Sequence, residues 1–359
     1  MRLVPVFLLG ALVGGCSVGE QVTQGTPAPG GAGLVADVQA PPGDVLVGAS
    51  GHAPVSAPSL PGEQAPAVSF APLAEIPVVA DGVALNDNGG VAHAGLGDVS
   101  CDVYPATGAI GSDYYDLGND AVLDAGSAAT LGAVFLTKTP GQLHVHPVNS
   151  GYTEATFALG GVQDARLTSQ GFVAVSTTTQ GCMAGWFTDS GVLLSTLHFE
   201  GSCDGSFTAD PVSGLAWLAT DSGVLELAPG ASRVIDPTPD AVLGFLSHDT
   251  QPSLVIGSAD GILTMLELDG STRWSADLGG AIEAVAGDPA NGAVFAAVDT
   301  FQRRVVMLDG ADAEELGGFD YAWSARHLAV SGDGGTVALA TEGTVAFHTV
   351  LDDSGAGAP

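Results

Sequence analysis

Positive charge is what this chain has least of. Eight Lys and Arg stand against 40 Asp and Glu, a formal net charge of −32. So acidic a surface repels phosphate backbones and anionic headgroups, so nucleic acid is excluded as a partner and a bare lipid surface is disfavoured. Aromatic residues make up only 6% of the chain. No Gly-x-Ser-x-Gly elbow, phosphate loop, Cys-x-x-Cys or His-Glu-x-x-His is present, which leaves nucleophilic catalysis without a visible candidate. The apolar run from Leu3 to Val13 is too short to span a bilayer as a mature helix.

What is there begins with that run. Arg2 precedes it and Gly14-Gly15-Cys16 follows it, the build of a secretory signal over residues 1–15. Val13-Gly-Gly-Cys16 resembles the bacterial lipobox. The resemblance implies cleavage before Cys16, lipidation of Cys16 by diacylglyceryl and N-acyl (palmitate-type) chains, and, with Ser17 next, an outer-membrane address. Several acyl chains anchor a protein stably where one does not. Loss of Arg2 leaves 40 acids and 7 bases, a mature charge of −33. From Ser17 to Pro66, nine Gly and eight Pro occur with no aromatic. Such a stretch cannot bury a core, so residues 16–66 read as a lipid-anchored flexible tether.

Beyond the tether a short phrase returns seven times: Asp81-Gly-Val-Ala, Asp120-Ala-Val-Leu, Asp164-Ala-Arg-Leu, Asp204-Gly-Ser-Phe, Asp240-Ala-Val-Leu, Glu283-Ala-Val-Ala and Arg326-His-Leu-Ala. An acid opens six copies, Gly or Ala is second in six, and the fourth residue is always apolar. The starts lie 39, 44, 40, 36, 43 and 43 residues apart. A period near 40 is that of a four-stranded propeller blade. After each phrase comes a turn, as in Asp210-Pro-Val-Ser-Gly, then an apolar strand, as in Ala293-Val-Phe-Ala. Continuous apolar runs suit strands buried on both faces between stacked sheets. The expected fold is therefore all-β, a seven-bladed β-propeller of four-stranded antiparallel blades over residues 67–351, with 352–359 a tail. The last copy stops one strand short after Val350, and Ala67–Leu73 is expected to supply that outer strand and close the ring.

These repeats resemble those of bacterial propellers of the YVTN, WD40-like and quinoprotein-like kinds. Leu268-Asp-Gly-Ser-Thr-Arg-Trp274, ending in Asp277-Leu-Gly-Gly280, is similar to a shortened quinoprotein-type repeat but occurs once. With no adjacent Cys pair, the pattern argues against a pyrroloquinoline quinone enzyme.

The sequence contains four cysteines. Cys182 falls in a turn between strands two and three of blade three and Cys203 in the link to blade four. Both connections emerge on one propeller face, so a Cys182–Cys203 disulfide is expected and Cys101 is left as a free thiol; export makes the bond permissible. His144-x-His146 places two imidazoles on one strand face, but no third metal ligand follows by spacing, so they read as ordinary strand histidines. The turn acids Asp87, Asp210, Asp249, Asp288 and Asp333 read as backbone caps.

Two functions remain in view. One is a membrane-anchored binding or scaffold module for a protein or glycan partner at the cell envelope, similar in build to propeller lipoproteins that serve outer-membrane assembly. The other is a metal-dependent, lactonase-like hydrolase with a cation in the central channel. Asp81, Asp120, Asp164, Asp204, Asp240 and Glu283, with Arg326, are expected around one channel mouth, as ligands for calcium, magnesium or a polar group. Tyr114, Tyr115, Tyr321 and Trp323, read as lying in links on that face, are the expected partner contacts.

Overall fold

The computed structural model describes residues 68–351 except 79, 97–98, 117–120, 129–131, 140, 148–154 and 248–251. Cys16, the signal segment, the whole tether, the tail, Asp120 and Asp249 therefore lie outside the described residues. Seven antiparallel sheets of four strands follow one another along the chain. The strands nearest the axis are Ala80–Leu85, Ala121–Ala128, Val162–Thr168, Phe207–Ala209, Val242–Leu246, Ala281–Asp288 and Ala325–Val330. Each touches the next, and the seventh touches the first, so the ring is closed.

Closure is made by the N-terminal strand Ser69–Ile76, which pairs antiparallel with Val345–Leu351 as the outer strand of blade seven. It begins two residues later than expected and runs on to Ile76, because the pairing slips by one residue between Pro72 and Ala74 and then continues.

Burial explains why the apolar runs became second strands. Ala216–Thr220, Ser253–Gly257 and Thr336–Thr341 are buried at every residue. A neighbouring sheet covers each face, so alternation is not needed. Trp186 and Trp274 fasten blades together: each indole N–H donates to a carbonyl of the following blade, Gly214 O at 2.7 Å and Gly310 O at 2.9 Å.

Six apolar clusters fill the seams between blades two and three, three and four, four and five, five and six, six and seven, and seven and one. The seam between blades one and two is different: among the described residues it holds stacked imidazoles. His93 of the second strand of blade one (Ala92–Leu96) stacks on His146 of the third strand of blade two (Gln142–Pro147) with ring centres 5.9 Å apart, and His146 stacks on His144 at 6.0 Å.

The expected disulfide is present. Cys182, at the start of the third strand of blade three, bonds Cys203 in the link to blade four, with Cα atoms 5.6 Å apart. Closing a 21-residue separation restricts the unfolded chain by about 3 kcal/mol. Cys101 lies in the third strand of blade one, Val99–Tyr104, and its side chain is outside what is described.

Tyr114 and Tyr115 correct the sequence reading. They lie in the outer strand of blade one, Ala109–Asp116, with Tyr114 opposite Cys101 and Tyr115 opposite Ser100, and not in a link. Aromatic residues suit a strand, and pairing with Val99–Tyr104 carries that strand through Asp116.

Candidate functional site

The inner strands converge on a channel of about 860 Å³ to which all seven blades contribute. Asp164, Asp204, Glu283 and Arg326 of the expected ring line it. Asp240 does not; it stands exposed in the turn before its strand, in a left-handed conformation with φ 49°. Asp204 likewise precedes its inner strand rather than opening it. Asp81 is the second residue of the inner strand of blade one, Ala80–Leu85, and its side chain is outside what is described.

Bulges aim several of these residues. Asp81, Glu283 and Arg326 are each the unpaired residue where the register between first and second strands slips. A bulge re-aims a side chain away from the ladder. Glu283 accepts a hydrogen bond from Tyr321 Oη at 2.9 Å and another from the Ala325 N–H at 2.8 Å. Tyr321, expected as a partner contact, is thus half-buried and holds an acid in place. Burial first, then the Glu283 hydrogen bond, raise its phenol far above the ordinary range. Asp204 accepts from the Ser202 hydroxyl, and Asp164 from the Ala165 N–H at 2.7 Å and from Arg166. Arg326 reaches Glu342 at 3.8 Å, exposed on the rim. Among the described residues no group of three or more His, Cys, Asp and Glu could hold a metal ion.

No protein-family model and no curated protein matches this chain. Its functional reading therefore rests on its own residues.

The residue that composition and repeat reasoning passed over is Arg166. It occupies the third slot of its phrase, where four other copies have Val. Its Nη1 donates to Asp164, to Ala165 O at 2.8 Å and to Leu123 O of blade two at 3.1 Å. The guanidinium also lies 5.8 Å from the Phe207 ring centre of blade four. Lys138, the chain's one lysine, donates to the Gln163 carbonyl beside it. Burial pulls the Lys138 ammonium below its usual range, with Asp164 opposing and Arg166 reinforcing that shift. His327 of blade seven faces the same channel; enclosure lowers its pKa, with Arg166 adding to the effect and Asp164 opposing it. A charged residue in an otherwise uncharged slot was the available signal.

Three of the turn acids, Asp210, Asp288 and Asp333, cap as expected. Asp210 accepts from Val212 N at 2.9 Å and from the Ser213 hydroxyl at 2.5 Å. Asp288, fully buried, accepts from Ala290 N, Asn291 N and Asn291 Nδ2. Asp333 accepts from Gly335 N and the Ser331 hydroxyl. His144 and His146 are buried strand residues, His144 Nδ1 lying 3.1 Å from Thr156 Oγ1 and His146 Nε2 2.8 Å from Thr137 Oγ1.

On the rim that carries Arg326, two aromatic rings face outward. Trp323 is 53% exposed and Phe301 105%. Trp323 lies in the link between blades six and seven, and its other side rests on Gly343, where a Cβ would come within 2.8 Å of the indole. Phe301 sits in the loop between the second and third strands of blade six. Arg303 joins the two segments: its carbonyl accepts from Tyr321 N at 3.0 Å and its Nη1 donates to Ala322 O at 3.4 Å. Phe301 was missed because nothing in the repeat marks a loop residue as exposed.

Proposed function

We propose that this protein is a non-enzymatic binding module: a propeller tethered through Cys16 at the bacterial cell envelope, presenting the rim of blades six and seven to an envelope protein. The observation that supports the reading is Phe301, which buries nothing within the chain, beside Trp323 on a loop pair braced by Arg303. Large aromatics on a braced backbone are what interface hot spots are made of. Isolated exposed apolar residues are common on surfaces; here the two rings share one rim with the charged pair Arg326 and Glu342, the mixture of anchor and polar border that interfaces use. Asp164, Asp204 and Glu283 already accept hydrogen bonds from neighbouring groups of the chain, which favours the binding module over the hydrolase.

The test is proximity cross-linking in envelope extracts with the wild-type chain and with Phe301→Ala plus Trp323→Ala. The pair of substitutions is expected to weaken capture of the dominant partner by tenfold or more, since each hot-spot residue is worth about 2 kcal/mol, with the melting temperature unchanged. Equal capture by both proteins sinks the rim as the interface. A partner band that is carbohydrate rather than protein reassigns it to glycan binding. Cys16→Ser should in parallel abolish incorporation of an alkyne-labelled fatty acid; retained label would remove the tether.

A further inference from the structure

The departures from the repeat converge on one place. Arg326 replaces the acid found first in the other six phrases, His327 replaces the Gly or Ala found second, and Arg166 replaces an uncharged third residue. All three line the channel. Lys138 stands behind Arg166 and Asp164, close enough for their charges to act on it. In a chain with 8 bases against 40 acids, two arginines and a histidine lining one cavity, with the only lysine behind them, concentrate the chain's scarce positive charge at one place.

We propose that the channel binds a small molecule carrying a single carboxylate on an apolar body, with Arg166 and His327 as the groups that receive the carboxylate. Only Nη1 of Arg166 is occupied by partners within the chain among the described residues. The contacts to Asp164, Leu123 O and Phe207 fix the side chain in a preorganised pose, and a planar fork held in place is suited to carboxylate recognition. No hydrogen bond reaches the His327 ring among the described residues, so it is available to a guest. Leu123, Leu167, Phe207, Leu328 and Val330 supply an apolar wall, and about 860 Å³ is the size of cavity that takes a small organic ligand. One negative charge is the limit. Asp87, Asp124, Asp204 and Glu283 line the same cavity, and Asp164 already neutralises part of Arg166, so a dianion such as phosphate meets stronger repulsion than a monoanion held at the Arg166 fork.

The experiment is isothermal titration of the full chain with benzoate, phenylacetate and hexanoate, each paired with its amide, and with inorganic phosphate. At least one carboxylate is expected to bind saturably, with its amide and phosphate about tenfold weaker or more, the loss expected when a charge-assisted hydrogen bond is removed. Arg166→Lys keeps a cation opposite Asp164 and is expected to weaken the carboxylate by about tenfold through loss of the fork. His327→Gln leaves the Arg166 network intact and provides the second reading should the first variant misfold. Failure of every carboxylate at millimolar concentration, equal binding of acid and amide, or unchanged affinity in both variants overturns the proposal. The rim substitutions Phe301→Ala and Trp323→Ala should leave this titration unaltered, which separates the channel from the partner surface.

Discussion

Lowering the pH from 7.5 to 5 should destabilise the propeller, and the blade one to two seam should account for a large share of the loss. His146 is buried between His93 and His144, and burial first, then the two neighbouring imidazoles, lower its pKa from 6.5 to about 3. Between those values the unfolded chain takes up a proton that the folded chain refuses. Stability is therefore whole above pH 6.5 and falls as the pH falls toward 3. At pH 5 this one residue removes about 2 kcal/mol. Burial lowers His144, His327 and His348 as well, so their contributions carry the same sign. Asp102 lies 2.8 Å from His93 on the blade-one side of the same seam.

Mild acid also relieves repulsion in a strongly negative chain, which acts the other way. The informative comparison is therefore urea denaturation of the wild type and His146→Gln at both pH values. Glutamine keeps a polar partner for Thr137 and does not titrate. The loss between pH 7.5 and 5 should shrink by about 2 kcal/mol in the variant; identical pH slopes for the two proteins would show that the seam does not titrate.

This seam also marks where the sequence stopped being readable. The blades were legible because a wedge has few solutions: small residues near the axis, an apolar second strand, a capped turn. The disulfide was legible because two connections on one face bring Cys182 and Cys203 together. His93 was not, because its partner Asp102 sits across a strand pair and His146 across a seam, and neither distance follows from spacing. Arg166 was printed inside a phrase, yet a repeat rewards attention to what recurs, whereas the chemistry lies in what departs. Tyr114 and Tyr115 were misplaced because strand ends shift by a few residues when a partner strand is longer than the minimum.

The largest expected effect belongs to the closing strand. A chain that starts at Val78 should lose cooperative folding or melt at least ~10 °C lower than one that starts at Val68. Residues Ser69 to Ile76 pair with Val345–Leu351 along its whole length, and without them that strand becomes an open edge. Phe70 is edge-on to Phe295 at 6.1 Å and tilted against Phe319 at 5.3 Å, between blades six and seven. Leu73 and Ile76 pack into the core shared by blades seven and one. Partial burial of three large side chains contributes on the order of 4 kcal/mol, before the ladder is counted. A ring gains further from closure, because blades seven and one are held in contact by a segment distant in sequence from its partner strand, so its loss releases both neighbours at once. A synthetic peptide of residues 67–78, added in excess, should restore the melt by supplying the strand in trans. Coincident melting of the two truncated chains, with no response to peptide, would mean that the ring is held by its seams alone.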